Sequence, residues 1–237
     1  QCRRLDDAGI MMLRLYSLLL HLLLPLVLLR LAWRGFRAPG YWSRWGERFG
    51  LFAPPRDWGG IWIHAVSVGE VQAVVPLIHE LLQRQPSLPI TVTTTTPTGS
   101  ARVREQLGDQ VFHVYFPYDL PLPLTGFIRR VRPRMLLMVE TEIWPNLLHM
   151  CGRVGIYTLL ANARLSEASA RRYARVAALS RDTFAQIDSV AAQSDADAAR
   201  FRTLGLPAER VSVTGSIKFD LRIPASLEEQ VEVLRRT

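Results

Sequence analysis

From residue 60 onward the chain alternates short, almost purely apolar runs with stretches of helical periodicity. That alternation restricts the fold more than any other feature. The apolar runs fall at residues 60–65, 90–95, 111–115, 134–139, 156–161, 189–192 and 211–214. Between them, helical patterns cover 71–85, 98–107, 124–131, 145–153, 169–178, 181–187 and 196–204. A strand with no polar side must be covered on both faces, as in a parallel sheet flanked by helices. At 49% hydrophobic residues, the chain has the apolar mass to do so. The expected fold is therefore α/β, a Rossmann-like parallel sheet. Right-handed crossovers bring its strand C-termini to one edge, where ligands of open α/β sheets bind.

The N-terminal segment is of another kind. Only 15 residues separate Arg14 from Arg30, and the run they enclose is mostly leucine. That is short of the ~20 residues that span a bilayer, and it lengthens through Leu31, Ala32 and Trp33 if Arg30 snorkels. No small-x-small cleavage site follows, which argues against a signal peptide. Arg30, Arg34, Arg37, Arg44 and Arg48 come next, with Trp33, Trp42 and Trp45 among them. Arginines mark the cytoplasmic side of a membrane and tryptophans its interface. The expectation is an anchor helix over 12–37, spanning or in-plane, that holds a cytoplasmic domain (38–214) against the membrane. Residues 1–11 are set apart as an extension without fixed structure.

The net charge of +8 points to anionic partners: nucleic acid, acidic headgroups or phosphorylated substrates. No basic helix or aromatic stacking motif supports nucleic acid. Cys2 and Cys151 lack CxxC or Cys/His spacing, so no metal site or disulfide framework is indicated, and no cofactor is expected.

The segments leaving the strands hold the candidate site residues. Glu140 and Glu142 stand where the fourth apolar run stops; Glu142 could instead cap the helix opening at Pro145. Ser67, Gly69 and Glu70 suit either a capped turn or an anion or sugar site at a helix N-terminus. The stretch holding Thr98 and Gly99 lacks the lysine and glycine spacing of a P-loop. On spacing alone Glu47 reads as a surface acid paired with Arg48, and His64 as a satisfied strand-end histidine.

Together and in order, HAVSVGE (64–70), TTTTPTGS (93–100), PYD (117–119), ETEIWPN (140–146), NARLSEAS (162–169) and GSIKFD (215–220) resemble the bacterial 3-deoxy-D-manno-octulosonic acid (Kdo) transferases, and GERFG (46–50) fits as well. The resemblance implies the N-terminal half of a GT-B glycosyltransferase, which binds a lipid A precursor while a C-terminal half binds CMP-Kdo. It also implies an inner-membrane enzyme of lipopolysaccharide synthesis, on the cytoplasmic face. Glu47 becomes the general base, and Glu140 and Lys218 stabilise the transition state. Ser67, Gly69, Glu70, Thr98, Gly99 and Glu142 line the acceptor site, where Arg48 and Arg164 meet its phosphates. Residues 215–237 are then an interdomain linker, and a chain ending there is expected to be inactive alone. The alternative is a non-catalytic, membrane-tethered α/β module that binds an anionic ligand.

Overall fold

A computed structural model describes residues 7–217. Lys218, with all of the expected linker past Ile217, lies outside the described residues. The chain opens with the long helix α1 (Asp7–Arg37), a 3₁₀ turn at Pro39–Trp42 and the one-turn α2 (Trp45–Arg48). Strands and helices then alternate: β1 (Ile61–His64), α3 (Val68–Arg84), β2 (Ile90–Thr94), α4 (Pro97–Leu107), β3 (Phe112–Tyr115), α5 (Pro121–Val131), β4 (Met135–Val139) and α6 (Pro145–Val154). After them come β5 (Tyr157–Ala163), α7 (Glu167–Arg175), α8 (Ala177–Ala185), β6 (Ser189–Ala192), α9 (Asp195–Thr203) and β7 (Val211–Val213).

All seven strands are parallel, in the order β3-β2-β1-β4-β5-β6-β7. The chain builds outward from β1 to β3, returns to the other side of β1 as β4, and builds outward again. The crevice between β1 and β4 is thus the topological switch point. Successive strand residues point to opposite faces, and both faces are buried. Ile63, Val92, Leu137 and Val139 pack with Val71, Val74, Ile78, Val103 and Leu107 of α3 and α4. Trp62, Leu136 and Met138 pack with Phe127, Leu147, Phe184 and Phe201 of the opposite layer. Each such fully buried side chain contributes roughly 1.5–3 kcal/mol. This two-sided burial is what the purely apolar runs required.

Several boundaries differ from the sequence reading. α3 starts at Val68, because Ser67 caps it and accepts the Glu70 N–H. α5 starts at Pro121, because proline is preset for the first helical position. β5 continues to Ala163. α1 begins at Asp7, so residues 7–11 belong to the helix and not to an extension without fixed structure. Gly50 is required by the fold: its φ is +72°, and a Cβ there would lie 2.2 Å from the Pro123 carbonyl oxygen.

By length and composition, α1 can cross a membrane over Ala8–Arg37, with a mean hydropathy of 2.0. It is nonetheless fastened to the domain. The Tyr16 hydroxyl donates to Asp119 Oδ2 at 3.0 Å, and Ser17 Oγ donates to Asn146 Oδ1 at 2.9 Å. At the other end the Trp42 indole lies on Gly35, where a Cβ would sit 1.5 Å from Nε1.

Candidate functional site

The C-terminal edge of the sheet gathers most of the residues singled out by sequence. At the switch point three carboxylates converge, those of Glu70 at the start of α3 and of Glu140 and Glu142 just past β4. Burial pushes the Glu142 carboxyl up to about 7, and the nearby Glu70 and Glu140 carboxylates push the same way. Burial also raises Glu70. Glu142 does not cap α6; its Oε2 accepts the Trp144 indole N–H at 2.9 Å. A group that exchanges its proton near neutrality, within a cluster of acids, suits proton transfer and the binding of sugar hydroxyls.

Glu70 also closes a capping box. It accepts the Val66 N–H at 2.8 Å and the Ser67 hydroxyl at 2.8 Å, while its own N–H reaches Ser67 Oγ. The structural reading of Ser67 and Glu70 therefore holds. Gly69 is different: it is exposed, and nothing lies within 4 Å of where its Cβ would be. The fold makes no demand for glycine there, and a ligand that approaches the backbone closely would.

The rim continues toward β3. Thr95 donates its N–H to the Val66 carbonyl, and its own carbonyl accepts Arg48 Nη2 at 2.9 Å. Arg48 is buried, with its guanidinium 4.3 Å from the centre of the Tyr115 ring. The arginine expected to meet acceptor phosphates thus supports the rim from within through that carbonyl and ring, while its buried Nε has no hydrogen-bond partner among the described residues. Beside it, Glu47 is held by two contacts. Oε1 pairs with Arg44 Nε at 2.6 Å, and Oε2 accepts the Tyr115 N–H at 2.7 Å. Glu47 is therefore paired with Arg44, not with Arg48 as spacing suggested, and its side chain is only 14% exposed. β3, whose end holds the Glu47 carboxylate through the Tyr115 N–H, and β4, past whose end Glu140 lies, are three strand spacings apart, about 14 Å.

The other candidates frame this edge. Thr98 is exposed in the first turn of α4, whose cap Thr96 accepts the Gly99 N–H; Gly99 packs that turn closely against Thr94. Arg164 is exposed just past β5, and its carbonyl accepts the Thr141 hydroxyl. Among the described residues no cluster of His, Cys, Asp or Glu is placed to hold a metal ion. His64 is fully buried between Thr93 and the stacked Phe116 ring, and burial lowers its pKa to about 3. It is a neutral core group.

Two features went unread in the sequence. Glu140 (φ +61°) and Asn162 (φ +53°), just past β4 and within β5, adopt the left-handed conformation. In non-glycine residues this costs about 1–3 kcal/mol each and concentrates at functional sites. Asp119 is the second. Its buried carboxylate accepts the N–H groups of Asn146 and Leu147 in the first turn of α6, as well as the Tyr16 hydroxyl. Burial pushes its pKa up to about 6 despite those bonds. The absence of Ser, Thr, Asp or Asn before Pro145 was the one clue that α6 needed a cap from elsewhere.

This fold and edge define a Rossmann-like α/β domain of GT-B-like architecture. Among solved structures, the UDP-GlcNAc 2-epimerase from Neisseria meningitidis bound to UDP-GlcNAc aligns with a TM-score of 0.51 at 15% identity, over 72% of this chain and 50% of that one. A second UDP-N-acetylglucosamine 2-epimerase gives 0.51 at 14%, over 68% and 49%. Identities this low speak for the fold alone. Residues 43–221 match the family described as 3-deoxy-D-manno-octulosonic-acid transferase (kdotransferase). The chain is 43% identical to the 3-deoxy-D-manno-octulosonic acid transferase of Haemophilus influenzae, over 93% of this chain and 52% of that protein. It is 38% identical to that of Bordetella pertussis, over 88% and 50%. A probable mitochondrial counterpart in Arabidopsis thaliana is 33% identical, over 89% and 48%. The chain belongs to the Kdo transferase family and spans about half the length of these relatives.

Proposed function

We propose that this chain forms the acceptor-binding half of an inverting glycosyltransferase. The enzyme moves Kdo from CMP-Kdo to a sugar hydroxyl of the lipid A precursor, on the cytoplasmic face of the bacterial inner membrane. The observation that carries this reading is the row of acids on the open edge of the sheet, beside a membrane-compatible helix fastened to that edge. In the reaction, the acceptor hydroxyl gives its proton to Glu47 and its oxygen bonds to the anomeric carbon of Kdo. The bond from that carbon to the phosphate oxygen breaks, and CMP leaves with the electron pair. Arg44 and the Tyr115 N–H fix the orientation of the Glu47 carboxylate and leave lone pairs for the incoming proton. Glu140 offers negative charge to the oxocarbenium-like centre, and Lys218 offers positive charge to the departing phosphate. Gly69, Thr98, Glu142 and Arg164 line the acceptor side.

The test is Kdo transfer by a chain extended past Thr237 with the second half of a relative. Glu47→Ala should lower turnover about 10²–10⁴-fold, the range for loss of a general base, with acceptor binding retained. Full turnover by Glu47→Ala would remove Glu47 from the reaction. Absence of transfer in the unsubstituted extended chain, with retained binding of an anionic lipid, would favour a non-catalytic tethered module.

A further inference from the structure

A groove of about 510 Å³ runs between α1 and α8 and ends against the loop that carries Glu142. One wall is α1, through Met12, Leu15 and Leu19; the other is α8, through Leu179 and Phe184; Trp144 closes the end. The lining is nearly all carbon. Four of its polar side chains are already bonded inside the protein, Tyr16 to Asp119, Trp144 to Glu142, Ser180 to the Tyr173 carbonyl and Thr183 to the Leu179 carbonyl, while the Tyr173 phenol, on the same wall, lies near the Glu142 carboxylate. Water held in such a groove would find few partners, and a polar ligand no better ones.

Two continuities identify the occupant. Leu15 and Leu19 are about half exposed and continue into the exposed leucines Leu22, Leu23 and Leu26 of the membrane-compatible helix, so the groove is continuous with a long apolar surface. At its closed end, the Trp144 indole is bonded to Glu142 itself. The α1 wall from Met12 to Leu19 is about 10 Å long at 1.5 Å per residue. A narrow, dry slot that leads from a bilayer-facing helix to a cluster of sugar-binding acids fits an extended hydrocarbon chain attached to a sugar. We propose that this groove holds one acyl chain of the acceptor glycolipid while the sugar of the same molecule meets Glu140 and Glu142. The inference rests on the glycosyltransferase reading and adds a site to it: α1 is then a wall of the substrate pocket as well as an anchor.

The experiment uses this chain in lipid nanodiscs. The probe is an acylated glucosamine disaccharide with a diazirine at the end of one acyl chain, and cross-linked residues are mapped by mass spectrometry. Label is expected on α8, at Leu179 and Thr183. Leu179→Trp, which fills the groove, should cut that label at least tenfold and leave label on Leu22 and Leu26 unchanged. Leu15→Trp, at an exposed position that tolerates substitution, should do the same from the other wall. A diazirine-bearing phosphatidylglycerol should label Leu22 and Leu26 but not α8. Label confined to α1, equal labelling of α8 by the phospholipid, or occupation of the groove by residues 218–237 or by a second copy would each overturn the proposal. Binding is read without turnover. If Kdo transfer fails while α8 is labelled, the proposed reaction falls and the groove stands; transfer without α8 label removes the groove alone.

Discussion

Replacing Glu142 by glutamine removes a titrating group from the switch-point crevice and keeps an oxygen that can accept the Trp144 indole N–H. In the folded protein the Glu142 carboxyl holds its proton up to about pH 7, against 4.5 for a free side chain. At about 1.4 kcal/mol per tenfold change in proton affinity, the gap corresponds to at most about 3 kcal/mol. The sign follows from which state binds the proton more tightly. A carboxyl raised on folding stabilises the folded state at low pH, and that stability is lost as the pH climbs from about 4.5 to about 7. Glutamine does not titrate. Glu142→Gln should therefore match the unsubstituted protein at pH 4 and exceed it at pH 8 by up to about 3 kcal/mol. With about 2–4 °C per kcal/mol for a chain of this size, the thermal midpoint in one detergent should rise by up to about 6–12 °C at pH 8. The measurement is the difference between the two midpoints across that pH range, in which the titration of Asp119 and other shared groups cancels. A difference that stays flat with pH, or a variant that is less stable at pH 8, would refute the argument that burial and the neighbouring acids strain this carboxylate.

Asp119→Ala should cost about 3 kcal/mol or more, since it strands the Asn146 and Leu147 N–H groups and the Tyr16 hydroxyl, each at about 1–3 kcal/mol; faster amide exchange at Asn146 and Leu147, with Tyr16→Phe much milder, is the readout. Gly50→Ala should destabilise by more than Gly155→Ala in urea unfolding. Both glycines have positive φ, worth about 1–3 kcal/mol to a non-glycine residue, but only Gly50 faces a carbonyl oxygen, at 2.2 Å. Loss of Kdo transfer in Glu47→Ala, set out above, completes the set.

The sequence alone determined the architecture and the family. Apolar runs without a polar side specify a parallel sheet buried on both faces, and that pattern is local, so Leu136, Leu137 and Met138 could be assigned to a strand with nothing else known. Motifs at the strand ends were legible too, because crossover handedness puts them on one edge whatever the order of the strands. The tertiary structure decided which side chains meet there. Glu47 takes its backbone partner 68 residues away, Tyr16 finds Asp119 across 103, and Ser17 finds Asn146 across 129. No periodicity reaches over such separations. The burial that removes Arg48 from solvent, and the burial of Glu142 beside Glu70 and Glu140 that moves its proton affinity by more than a hundredfold, come from packing in three dimensions. Charge interacts through space and not along the chain, so a sequence can name the acids of a site while only the fold sets their protonation.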